Sequence, residues 1–162
     1  MTAAVKDGFW MLTVRKGQAF IPTMAQTEAG FYMRIDPVEV VDASDRKAVE
    51  DAMLRAIARG NPIVHTPTRD NFPEDVLLKY TRVKSLSTFE KLAQTWKFSK
   101  GQGAYLIAPY RPLKSGGSEE DPEKTEAIPT EESLESAVRG LVETRYILIS
   151  RFPVRRHNPI AS

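Results

Sequence analysis

Cysteine is absent from this chain of 162 residues, and histidine occurs only at His65 and His157. The first absence excludes disulfides, thiolate metal sites and cysteine nucleophiles, and it accords with a reducing compartment. The second removes most of the usual general bases near neutral pH. Other signatures of chemistry are missing as well. The sequence has no Gly-x-Ser-x-Gly elbow, no His-Glu-x-x-His pair, no calcium-binding loop and no Gly-Lys-Ser/Thr phosphate loop. No apolar run approaches the length of a membrane span. The start, Met1-Thr2-Ala3-Ala4-Val5-Lys6-Asp7, lacks the basic and apolar regions of a signal peptide. A cytoplasmic protein without metal or cofactor is the expectation.

What is present is a globular composition, 41% hydrophobic and 27% charged, in a chain long enough to bury a core without staples. Two stretches read as one module written twice. Trp10, the turn Lys16-Gly17-Gln18 and the run Ala19-Phe20-Ile21-Pro22 are matched by Trp96, Gly101-Gln102-Gly103 and Ala104-Tyr105-Leu106-Ile107-Ala108-Pro109. At an offset of 85, Val49, Ala52, Met53, Ala56 and Ile57 fall on Leu134, Ala137, Val138, Leu141 and Val142. Both sets have the spacing of an amphipathic helix.

Local signals fill in the elements. Phe9 to Arg15 and Ala19 to Gln26 read as a hairpin, with Pro22 placing the second strand at an edge or a bulge. Phe31 to Val41 reads as a third strand interrupted at Asp36-Pro37. Ser44 or Asp45 caps a helix that ends at Gly60 and Pro62. Residues 61–76 read as an extended connector, and Ser87-Thr88-Phe89-Glu90 starts a short helix over 88–95. A second hairpin spans Thr95 to Ser99 and Ala104 to Arg111. Residues 112–123 read as a mobile loop and Glu126-Ala127-Ile128 as a strand. Thr130 caps the last helix, with Glu131 and Glu132 in its first turn.

The implied fold class is α+β: two pseudo-duplicated β-β-β-α units, each an antiparallel sheet covered by its own helix. The units occupy residues 1–60 and 95–150. A Pro-rich connector with a short helix, 61–94, joins them, and a disordered basic tail fills 151–162. Joining of the two sheets into one is the other arrangement that the repeat allows.

Charge is unevenly laid out. Residues 60–114 carry nine basic and four acidic side chains, whereas residues 115–144 carry two basic and nine acidic. Such segregation steers charged partners, although a solvated acidic loop produces the same pattern. The primary reading is a non-enzymatic, protein-binding module of the bacterial cytosol, in particular a small inhibitor or immunity-type protein. It would occlude a partner such as a basic toxin or nuclease, with Glu119, Glu120, Asp121, Glu123, Glu131 and Glu132 as contacts. A second reading is a nucleic-acid-binding accessory protein that uses Lys79, Arg82, Lys84, Lys97, Lys100 and Arg111 with neighbouring aromatics. A third is an enzyme in which Asp70 orients His65 as a base.

Overall fold

The structure, a computed structural model, describes residues 8–114 and 118–143. The strands are β1 (Gly8–Arg15), β2 (Gln18–Thr27), β3 (Tyr32–Asp42), β4 (Ile63–Val64), β5 (Ala93–Lys100), β6 (Ala104–Pro112), β7 (Ser118–Glu120) and β8 (Glu126–Pro129). The helices are α1 (Arg46–Arg59), α2 (Leu86–Lys91) and α3, residues 134–143.

All eight strands lie in one sheet, in the order β3-β2-β1-β5-β6-β7, with β4 beside β2 and β8 beside β6. Every pairing is antiparallel except that of β4 with β2. This corrects the expectation of two sheets, each under its own helix. The cause is the pairing of β1 with β5 along their whole length, from Gly8 opposite Lys100 to Arg15 opposite Ala93. Left apart, each strand would have been a long edge with unpaired backbone groups. Nor does each helix have its own core. Trp10, Leu12, Ile21, Trp96, Phe98 and Ile107 of the sheet meet Val49 and Met53 of α1 and Val138 and Leu141 of α3 in a single cluster. The two helices run antiparallel, as ion pairs show from Glu50 to Arg139 at 3.5 Å and from Arg46 to Glu143 at 3.8 Å.

Local chemistry explains the turns. Lys16 (φ 50°) and Gly17 (φ 80°) both take the left-handed conformation, as a two-residue hairpin loop matched to strand twist requires. Pro22 sits in an interior strand rather than at an edge. It is tolerated because the β2–β3 register shifts between Pro22 and Thr23, opposite the cis Asp36–Pro37 peptide. Thr23 stitches this bulge by donating to the Pro37 carbonyl (2.9 Å) and accepting from Arg59 Nε (2.8 Å). Asp45 caps α1 by accepting from the Ala48 amide, and Gly60 ends it at φ 72°.

β1 and β2 share a register only over Thr13–Arg15 and Gln18–Phe20. Farther along, the side chain of Asn61 spans them, donating to the carbonyls of Phe9 and Met24 at 2.9 Å each. Gly8 makes room for this clasp, since a Cβ there would lie 1.9 Å from Asn61 Oδ1.

Several boundaries differ from expectation. α2 starts earlier, because Ser85 caps it by accepting from the Thr88 amide, and it ends earlier, because β5 claims Ala93 to Thr95 for its ladder with β1. Within the stretch read as a mobile loop, 118–120 form β7 on the edge of β6. Ser133, not Thr130, caps α3 by accepting from the Ser136 amide (3.1 Å), so Glu131 and Glu132 precede the helix. The extension of the last helix through Tyr146 to Ile149 and the basic tail lie outside the described residues.

The opposite face of the sheet carries a second, smaller cluster of Phe20, Val38, Val76, Leu77 and Phe89, in which Phe20 and Phe89 meet edge to face at 5.5 Å. The connector covers only part of this face.

Truncation of Trp10 to Ala is expected to lower stability by about 3–5 kcal/mol in urea unfolding, since the indole is 2% exposed and donates to the Gly60 carbonyl. Gly8→Ala is expected to cost about 1–3 kcal/mol in the same measurement, by displacing Asn61 from two partly buried carbonyls.

Candidate functional site

β1 is apolar on both faces. Trp10 and Leu12 face the helices; Phe9, Met11 and Thr13 point the other way, because successive side chains alternate. On that second side lies a groove of about 960 Å³, within the size range of ligand-binding clefts. Phe9, Met11 and Thr13 contribute from β1, Thr95 from β5, Tyr110 from β6, and Tyr32 and Arg34 from β3. Phe72 to Asp75 of the connector and Phe89 to Lys91 of α2 form its other margin.

The groove is aromatic, and its arginines Arg34 and Arg111 meet carboxylates. Phe9 meets Tyr32 edge to face at 4.3 Å, and Lys97 Nζ stands 5.2 Å over the Phe9 ring. Phe31 and Phe72 stack at 6.4 Å yet remain 41% and 57% exposed. Arg34 donates from Nε (2.8 Å) and Nη2 (2.6 Å) to Asp75 Oδ2, a pair largely withdrawn from water. Lys97 meets Glu120 at 2.9 Å, and Arg111 meets Glu119 at 2.9 Å and Asp121 at 3.8 Å. On the floor, Thr13 and Thr95 share a hydroxyl hydrogen bond of 3.0 Å. Burial, and next the charge of Glu120, push the Tyr110 phenol above its ordinary value, against the opposing pull of Arg34.

The structure divides the acidic block. Glu119 and Glu120 lie on β7 and Glu123 in the turn after it, all exposed. Asp121 is 7% exposed and accepts from the Glu123 amide as the cap of that turn. Glu131 and Glu132 are exposed at the other end of β6, just beyond Pro129, which pairs with Ala104. Glu123, Glu131 and Glu132 make no ion pair among the described residues.

The basic set is scattered too. Lys79 is bound to Asp36, which also accepts from Tyr80; these two hydrogen bonds hold the Asp36 carboxyl below its usual range. Lys97 and Arg111 are paired as above. Arg82 and Lys84 are exposed ahead of α2, and Lys100 ends β5. His65 does not pair with Asp70. Its Nδ1 contacts Glu28 Oε1 at 2.8 Å on an exposed surface, while Asp70 sits in the Arg69–Asn71 turn. The expected pairing of His65 with Asp70 is therefore replaced by one with Glu28. Among the described residues, no three His, Cys, Asp or Glu side chains gather as a metal site, and no helix is long and apolar enough to cross a membrane.

Sequence reasoning missed Phe9, Met11, Tyr32 and Arg34 as one surface. The available signal was the double-sided apolar character of β1, which a strand with one solvated face would not show.

No protein-family model matches the chain, and no curated protein matches it in sequence. Solved structures resemble its fold. One is a protein of unknown function from Neisseria meningitidis, 13% identical, with a TM-score of 0.63 over 90% of this chain and 97% of that one. Another is a chain of a CdiA-CT/CdiI toxin and immunity complex from Yersinia pseudotuberculosis, 12% identical, with a TM-score of 0.54 over 87% of this chain and 98% of that one. At these identities the likeness is one of fold.

Alkaline titration followed by phenolate absorbance is expected to find Tyr110 and Tyr80 titrating above pH 10.0, with Tyr110→Phe removing one of the two late phenols and Glu120→Gln moving the Tyr110 step down. The folded chain holds this proton more tightly than the unfolded one. The associated stability is therefore whole below the ordinary phenol pKa and is lost as pH rises through the folded value.

Proposed function

We propose that the chain is a non-enzymatic protein-binding module of the immunity type, which neutralises a cognate toxin in the bacterial cytoplasm by covering it. The observation that carries this reading is the half-open sheet face. An aromatic, methionine-bearing groove with a carboxylate rim has the composition of an interface centre and its polar surround. The fold likeness to a chain of a toxin and immunity complex supports the same reading.

The contact surface in this proposal is the groove together with Glu119, Glu120, Asp121 and Glu123 at one end of β6 and Glu131 and Glu132 at the other. Six residues of strand separate the two groups, about 20 Å. A single interface of about 800 Å² per partner spans that distance. Carboxylates on such a rim favour a basic partner, a toxin or nuclease, and act on the rate of encounter more than on affinity. The nucleic-acid reading is less favoured. Lys79, Lys97 and Arg111 already meet carboxylates, so a phosphate backbone would have to displace three of them.

Cells exposed to the cognate toxin are expected to grow when they express this chain. A Glu123→Lys, Glu131→Lys, Glu132→Lys variant is expected to associate with the toxin about tenfold more slowly at low salt, with little change in dissociation, because rim charges govern encounter. Surface plasmon resonance reads both rates. Absence of growth protection contradicts the immunity reading, and an unchanged association rate removes these carboxylates from the interface.

A further inference from the structure

The arginines around the groove differ in one respect. Arg34 and Arg111 each meet a carboxylate. Arg15, half-buried at the end of β1, meets none among the described residues. Its Nε is buried without a hydrogen-bond partner, and its guanidinium carbon lies 5.3 Å from the centre of the Phe89 ring. Phe89, the cross-strand neighbour Ala93, and Thr13 two positions back on the same face of β1 all line the groove. Arg15 therefore stands at the α2 end of the groove. Arg15 stands beside the lining, over Phe89 and opposite Ala93; the charged side chains that line that end are Glu90 and Lys91, and neither forms an ion pair with Arg15.

A guanidinium with one flat side against a ring, and its remaining donors unused, is shaped to receive a carboxylate in the plane of its fork. The ring contributes attraction to the cation but satisfies no N–H. Burying the Nε donor without a partner is costly, so a carboxylate that accepts from it regains that loss. Beside Arg15 the groove floor passes over Phe89 and Met11, both nearly buried, to the half-buried Phe9.

We propose that the groove receives a segment of the partner protein that carries a carboxylate next to an apolar side chain. The carboxylate sits on Arg15 and the apolar group lies along Met11 and Phe9. This rests on the protein-binding reading and gives the chemistry of the segment bound. The carboxylate rim and Arg15 then address different parts of one partner.

The test uses two blocked tripeptides as probes, acetyl-Phe-Asp-Phe-amide and its isostere acetyl-Phe-Asn-Phe-amide, with phenylpropanoate as a free acid. Binding is followed by NMR shifts of Thr13, Phe89 and Ala93. The Asp peptide is expected to bind about tenfold more tightly than the Asn peptide, the margin of one charge-assisted hydrogen-bonded contact. Arg15→Gln is expected to abolish that preference and Arg15→Lys to retain part of it. Equal binding of the two peptides to the wild-type chain overturns the proposal, as does a preference that survives Arg15→Gln. Tighter binding of phenylpropanoate than of the Asp peptide overturns it in favour of a small-acid site. No toxin enters this experiment. Loss of growth protection with intact probe binding would remove the immunity reading alone, and the converse would remove this proposal alone.

Discussion

The ladder between β1 and β5 is the constraint on which the rest of the molecule depends. Eight residue pairs close it, from Gly8 opposite Lys100 to Arg15 opposite Ala93. It sets Trp10 and Phe98 side by side at 6.5 Å under the two helices, and Thr13 against Thr95 on the reverse face. Because it joins residues 82 positions apart at that pair, it cannot form until both hairpins and the connector between them are in reach. Such long-range pairing is slow to form. Once formed, it turns two short hairpins into the centre of a single sheet, with β3 at one edge and β7 and β8 at the other.

A wide sheet has two faces to cover, and this chain covers them unequally. α1 and α3 fill one face with a continuous core. The connector supplies the Val76–Tyr80 turn and α2 to the other, with Phe72 to Asp75 along the margin of the groove beside them. The ion pairs around that groove do two things. Arg34 with Asp75 ties the connector to β3, and Lys97 with Glu120 and Arg111 with Glu119 hold β7 against β6. They also leave the groove without strong net charge. A partner would be held there chiefly by fit and apolar contact, while the outlying carboxylates act on approach.

The sequence made local matters readable and long-range ones opaque. α1 was legible because its cap, its stripe of Val49, Ala52, Met53, Ala56 and Ile57, and its Gly60 stop all lie within one segment. The Lys16-Gly17 turn was legible for the same reason. The joining of the halves was not, since hairpin and helix signals are satisfied equally by two sheets or by one. β7 escaped notice because Ser118, Glu119 and Glu120 have little strand propensity; Arg111, opposite Glu119, supplies the cross-strand charge pair. For the same reason, segment charge overstated what the surface offers. Lys79, Lys97 and Arg111 looked like a basic stripe, yet their partners Asp36, Glu120 and Glu119 come from elsewhere in the chain. Arg15 went unremarked because only packing reveals that it has no carboxylate.

The account stands on the half-covered sheet face being the working surface, with the helices serving as its support. Hydrogen exchange of the chain alone and in complex with the toxin that the proposed function calls for measures this most directly. Added protection is predicted in β1, β6 and residues 118–123, with α1 and α3 unchanged. Protection confined to the outer surfaces of α1 and α3, with the groove strands exchanging as in the free chain, would contradict it.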